Sequence, residues 1–386
     1  MANLSLQTFL LLILQVLSEV ACLEEVSDRQ CDCYVTNETS RNYFTTHSFF
    51  DFRALTQYAK VPPPITDPYD SSEADETSDY FLDNDWTEVW GIQRWNNSDS
   101  VDSGDAPVLL VNSPNNVYIE ENTDENASSD TFLTMRTMRF EDYQSTAEFE
   151  SISKAYHFLS VRMLARTVGA PGAITAMFTY RDGGDPTQLT SVQESDLEIR
   201  TMDPKDKVQY TNQPSYNTKG YDIPQSTRNA TTPVQADWTQ WSVHRMDWTP
   251  KNTTWYIDGQ QAASIAFQVP RDPSQVIFNA WSDGGEWSGN MTVGGEAYLQ
   301  IQWIEIVFNS TGDAKTTDKR NDDTTTSLAN VKRDDQGCQN ICSIDDTPTT
   351  GRPVLVQGAA SRISDHILGL SMTYIWIPLL LATFLI

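Results

Sequence analysis

Positive charge is scarce in this sequence. Its 386 residues include 26 Lys or Arg against 53 Asp or Glu, a formal net charge of −27. A chain this acidic repels phosphate, which excludes DNA, RNA and anionic membrane surfaces as partners and suits a neutral or cationic ligand. Histidine is also scarce. His47, His157, His244 and His366 show neither metal-ligand nor triad spacing and read as structural or surface residues. No cysteine lies between Cys33 and Cys338, and no long amphipathic helical period or internal repeat is present. The acidic stretch from Pro62 to Asp85 lacks the Asp-x-Asp-x-Asp-Gly spacing of a calcium loop and reads as a solvated loop.

Aromatic residues are plentiful: 11 Trp, 15 Tyr and 15 Phe, within a 39% hydrophobic share. That supports a real core in one large or two ordinary domains. Strand signals are frequent. Leu159, Val161, Met163 and Ala165 alternate with Ser160, Arg162, Leu164 and Arg166, and Leu299, Ile301 and Trp303 alternate with Gln300 and Gln302. Trp255-Tyr256-Ile257 runs into Asp258-Gly259, a hairpin turn signal. Many short strands with Gly, Pro and Asn punctuation predict an all-β sandwich.

The ends suggest an extracellular protein. Residues 1–22 have the length of a signal peptide, with the apolar run Leu4 to Leu17 and small residues near Cys22. Gly358-Ala359-Ala360-Ser361, a short polar spacer and the apolar run Ile367 to Ile386 give 359–386 the layout of a GPI-anchor signal, with a transmembrane helix as the alternative. Cys31, Cys33, Cys338 and Cys342 then read as disulfides tying the two ends, in a pairing the sequence leaves open. Sequons at Asn37, Asn96, Asn126, Asn229, Asn252, Asn290 and Asn309 fit a glycosylated, secreted chain. The expected layout is 23–117 as the N-terminal part of the sandwich, 118–309 as the catalytic core, 310–337 as a polar linker and 338–358 as a Cys-containing tail.

The segment Glu194-Ser195-Asp196-Leu197-Glu198 carries the chemistry. On a strand, alternate side chains share a face, so three carboxylates line up while Leu197 and Ile199 face the other layer. A structural sheet gains nothing from three adjacent acids. Glycoside hydrolysis uses two carboxyls flanking the scissile bond, one of them kept protonated by burial and like charge.

This segment resembles the signature of family 16 glycoside hydrolases, which are concanavalin A-like β-sandwich (jelly-roll) enzymes with a concave sugar-binding cleft. Further blocks resemble the family in order: Ala147-Glu148, Gly172 to Tyr180, Val208 to Asn212, His244 to Pro250, Trp255 to Gly259, Asn279 to Gly285, and Tyr298 to Val307. The Cys-paired ends, acidic loop and anchored tail look most like a fungal cell-surface member. The resemblance implies a retaining β-glucanase acting on β-1,3 or mixed β-1,3/1,4 glucan. Glu194 would be the nucleophile, Glu198 the acid/base, and Asp196 the residue between them that holds and tunes the nucleophile. Glu148, Tyr210 and Asn212 match positions that line the sugar cleft, and Trp281 and Trp287 are candidate stacking platforms. Trp248, Trp255 and Trp303 read as structural. Glu150 stands where relatives often have Arg, and Gln302 where several relatives offer Asp to calcium, so no cofactor is expected. The alternatives are a cell-wall transglycosylase of the same family and a non-catalytic glycan-binding surface glycoprotein. The expected partner is a neutral cell-wall polysaccharide, and the expected state is a monomer.

Overall fold

A computed structural model of the chain describes residues 23–36, 42–183, 192–233, 236–311 and 337–358. The expected signal peptide (1–22), the anchor segment (359–386), nearly all of the polar linker and the Asn37 sequon lie outside the described residues. The chain divides into two compact units, 1–45 with 333–386, and 46–332.

In the first unit a five-stranded sheet brings the chain ends together in the order β1-β21-β20-β2-β3. Its strands are β1 Glu24–Glu25, β2 Cys33–Val35, β3 Tyr43–Phe44, β20 Ile341–Ser343 and β21 Val354–Gln357. Disulfides Cys31–Cys342 and Cys33–Cys338 clamp it across sequence separations of 311 and 305 residues. The Cys-bearing N-terminal segment, expected as part of the sandwich, therefore belongs with the C-terminal Cys segment. Strands this short have little apolar surface of their own, and the crosslinks supply what a core cannot.

The second unit is an all-β sandwich. One sheet runs β14-β13-β12-β11-β18-β9, formed by Thr227–Thr231, Lys207–Gln213, Gln193–Arg200, Ile174–Arg181, Gln275–Trp281 and Tyr143–Ser151. Short strands β5 (Trp90–Ile92) and β6 (Leu109–Asn112) extend it beyond β9. The other runs β8-β19-β10-β15-β16-β17, formed by Thr131–Arg139, Glu296–Ser310, Tyr156–Gly169, Ser242–Trp248, Thr253–Ile257 and Gln260–Ile265. The two sheets join where β8 meets β9 at Met138 and Ser145. Their facing sides form one core. Met177, Leu197, Phe278 and Phe149 from the first sheet and Val161, Met163, Leu299 and Ile304 from the second are all within 1% of full burial.

The strand alternation of 159–165 is borne out, with Leu159, Val161, Met163 and Ala165 all in the core. The Asp258-Gly259 turn joins β16 to β17, with both residues at positive φ, 48° and 74°, as a tight hairpin of this type requires. The second expected alternation fails at its last member. A register shift between β10 and β19 aligns Ile301 with Ala165 but Trp303 with Leu164. The bulge at Gln302 turns Trp303 to the outer side of the sheet, where it packs by Phe49 and Arg162.

Candidate active site

Because Leu197 and Ile199 point into the core, 0% and 1% exposed, the residues alternating with them must face out. Directly paired residues share a face, so rows can be read across the first sheet. Gln213, Glu194, Tyr180 and Gln275 form one row. Thr211, Asp196, Phe178, Ile277 and Glu150 form the next. Gln209, Glu198, Ala176, Asn279 and Glu148 form the third, followed by Arg200, Ile174 and Trp281. An outer sheet face ought to be wet. Asp196 is only 2% exposed and Glu148 and Asn279 only 9%, so this face is recessed into a cleft.

Burial dominates the electrostatics. Glu194 is pushed up to about 7, with a hydrogen bond from Asp196 moderating the rise. Glu198 is pushed up to about 8 by burial and by Glu194, against a smaller opposing pull from Arg200. Asp196, flanked by both, is raised well above the ordinary carboxylate range, first by burial and then by its two like-charged neighbours. Gln213 Nε2 donates to Asp196 Oδ2 at 3.5 Å, while Oδ1 meets no donor. A proton held on Asp196 and donated to Glu194 resolves the contact: it satisfies the carboxyl between two others and leaves Glu194 able to ionise. Three acids on one face can therefore divide their roles into a carboxylate, a proton donor and a group that holds the carboxylate.

The rows extend to β9. Trp95 Nε1 donates to Glu148 Oε1 at 2.9 Å and Asn279 Nδ2 to Oε2 at 3.3 Å, while burial raises the Glu148 carboxyl. In the next row along β18, Trp281 stacks on Trp287 with ring centroids 6.0 Å apart. The Arg200 guanidinium lies 5.6 Å from the Trp287 centroid and pairs with Asp203 at 2.9 Å. Trp287 is 37% exposed, so its ring is open to a ligand. The loop carrying it closes onto Gly172, at φ +96°, where a Cβ would stand 2.6 Å from the Met291 nitrogen.

Glu194, Asp196, Glu198, Glu148 and Trp281 thus share one face, with Trp287 stacked on Trp281. Tyr210 and Asn212 do not join them. Their β13 pairings are Leu197 and Ser195, on the interior side, and both are 0% exposed. Tyr210 packs on Trp255 with centroids 5.3 Å apart, and Asn212 accepts from Ser195 Oγ at 2.7 Å and donates to the Phe267 carbonyl at 2.9 Å. The cleft positions of β13 are Thr211 and Gln213, because a strand changes face at every residue. Trp248 and Trp255 are fully buried, as expected for structural residues. His244 is likewise buried, with neither ring nitrogen partnered, and burial lowers it to about 4, so it stays neutral. Of the sequons, Asn229 pairs with Gln209 and stands two strands from Glu198 on the cleft face. Among the described residues no three His, Cys, Asp or Glu side chains are grouped as metal ligands.

The chain is 29% identical over 154 residues to a β-glucanase of Bacillus subtilis (strain 168), covering 39% of this chain and 57% of that protein. It is 28% identical over 154 residues to a β-glucanase of Bacillus amyloliquefaciens, with coverages of 39% and 58%. The chain therefore spans somewhat more than half the length of these curated relatives. Among solved structures, the Bacillus licheniformis β-glucanase superposes with a TM-score of 0.43 at 19% identity, covering 57% of this chain and 92% of that one. A Bacteroides ovatus family 16 enzyme in complex with a mixed-linkage glucan product gives a TM-score of 0.44 at 14% identity, covering 57% and 95%. The sequence model of the glycosyl hydrolases family 16 matches residues 112–305, half of the chain, and the chain belongs to that family.

Proposed function

We propose that the protein is a retaining endo-β-glucan hydrolase working by double displacement. The observation that carries this reading is the row of Glu194, Asp196 and Glu198 on one recessed face, with burial and like charge raising the Asp196 carboxyl and pushing Glu198 up to about 8. The ionised Glu194 attacks the anomeric carbon while Glu198 gives its proton to the departing glycosidic oxygen. Water then attacks the glycosyl–Glu194 ester, losing its proton to Glu198, and Glu194 leaves as carboxylate. Asp196 holds Glu194 through the shared proton. Glu148, held in place by Trp95 and Asn279, binds a hydroxyl of the donor chain, and Trp281 and Trp287 receive an apolar sugar face.

The curated relatives named above are β-glucanases, and the finer class, β-1,3 or mixed β-1,3/1,4 glucan, is what the family resemblance of the sequence implies. Secretion is supported by two disulfides, which persist in oxidising compartments. Surface anchoring of the fungal type belongs to the same proposal and rests on the sequence alone. The test uses residues 23–358 as wild type and as Glu194→Gln, incubated with laminarin, lichenan, xyloglucan and chitin oligomers, with and without an oligosaccharide acceptor, and products read by mass. Chain-shortened glucans from the wild type alone are the expected result. Ligated products would assign a transglycosylase, and equal behaviour of the two proteins on every substrate would leave a glycan-binding protein.

A further inference from the structure

The double displacement leaves part of the cleft unexplained. Glu150 lies two residues beyond Glu148 on the same face of β9, in the row that crosses Ile277 and Phe178 to Asp196. Three strand spacings, about 14 Å, separate it from Asp196. It is half-buried, and Gln275 Nε2 donates to its Oε2. Spending the Gln275 amide donor there leaves its buried carbonyl Oε1 with no partner. Four residues along β18, Asn279 repeats the arrangement: its amide donates to Glu148 and its Oδ1 is left without a donor. Gln275 and Asn279 are 5% and 9% exposed, so water does little to compensate.

This end of the cleft is therefore a field of acceptors: two carboxyls, each held by one amide, and two amide carbonyls in want of donors. The Trp95 indole is already spent on Glu148. Arg200 is held by Asp203 at the opposite end, and the cation acting on Glu150 is Lys154, an exposed side chain. A sugar hydroxyl brings one donor together with its own lone pairs. An ammonium group brings three donors and no acceptor, and its charge opposes that of the carboxylates. An N-acetylated amine brings one donor, a carbonyl and no charge.

Building on the glucan-cleft reading, we infer that the β9–β18 end of the cleft is a subsite for a cationic amino-sugar unit, with Glu150 as the residue that selects it over neutral and N-acetylated units. Glu150 is a specificity-determining residue here and takes no part in bond cleavage. The test is calorimetric titration of the full chain as Glu194→Gln, which binds without turnover, at pH 6. The probes are β-linked tetramers of glucosamine, N-acetylglucosamine and glucose. The glucosamine tetramer should bind at least about tenfold more tightly than either other probe, the equivalent of ~1.4 kcal/mol. Adding Glu150→Gln should bring the three within about threefold, and adding Glu150→Asp should keep the preference, which separates charge from folding. Equal affinities in the Glu194→Gln protein, or a preference that survives Glu150→Gln and so reflects only net acidity, would overturn the inference. The two readings fail separately. Wild-type cleavage of neutral β-glucan without amino-sugar preference defeats the subsite alone. Amino-sugar preference without cleavage of any neutral glucan defeats the glucan hydrolase alone.

Discussion

An unfolded glutamate titrates near 4.3, whereas folded Glu194 and Glu198 sit at about 7 and 8. Between those values the folded chain binds more protons than the unfolded one, so the site costs stability as pH rises, and no such cost exists below about pH 4. Glu198→Gln should therefore melt higher than wild type at pH 8, by about 1 kcal/mol or ~2–4 °C for a domain of this size, and equal it at pH 4. Matched melting curves at both pH values check this, and an advantage present only at pH 4 would contradict it. Activity follows the same protons. It should decline above about pH 8 as Glu198 loses the proton it must donate, and a rate that stays flat to pH 9 would contradict the acid assignment. If Asp196 acts by giving a hydrogen bond to Glu194, Asp196→Asn keeps a donor and Asp196→Ala does not. The expected loss in kcat is about 100-fold for Ala and clearly less for Asn, and equal losses would remove that role.

The β12 and β13 strands show what a period of two can and cannot tell. Inside β12 the alternation of three acids with Leu197 and Ile199 was legible from sequence, because within that one strand the acids fall on one side and the aliphatics on the other. In β13 one face carries the polar Gln209 and Thr211, while the other mixes Val208, Tyr210 and Asn212, residue types that serve a sugar cleft as well as a core, and a one-residue error inverts every side chain. Tyr210→Ala should therefore cost about 3–5 kcal/mol of folding stability, as for a buried aromatic. Gln213→Ala should leave the melting temperature within about 2 °C of wild type but lower kcat, because it faces Asp196. Denaturant unfolding and kinetics on the same pair of variants test the assignment, and the reverse pattern would restore Tyr210 to the cleft. Trp95 was not legible because it lies outside the strand motifs, in an irregular segment whose approach to Glu148 depends on tertiary packing alone. The turned-out Trp303 was hidden for a similar reason, since a bulge leaves no mark in the alternation.

At the scale of the whole molecule, the Cys pairs near the two ends announced a tie between them, but spacing could not choose the partners. The structure pairs Cys31 with Cys342 and Cys33 with Cys338, and the parallel pairing of β2 with β20 sets the two Cys segments side by side. The chain-entropy model gives about 6 kcal/mol for the first crosslink over a loop of this length. Reduction under native conditions should therefore strip amide-exchange protection from 33–35, 341–343 and 354–357. Protection that persists there after reduction would show that the short strands hold without the crosslinks. The sandwich itself was legible because β-branched and aromatic runs with turn residues repeat through the chain. The boundary of the Cys-clamped unit was not, since β1 and β2 pair with strands some 300 positions away.

The most direct test of the double displacement is covalent. Intact mass of wild-type protein should be measured after incubation with a 2-deoxy-2-fluoro β-glucan oligosaccharide bearing a good leaving group, which slows release of the glycosyl-enzyme. One glycosyl adduct per chain, mapped by peptide sequencing to Glu194 and missing from Glu194→Gln, is the predicted result. An adduct on another residue, or none from a protein that cleaves the natural glucan, would contradict the assignment of Glu194 as nucleophile.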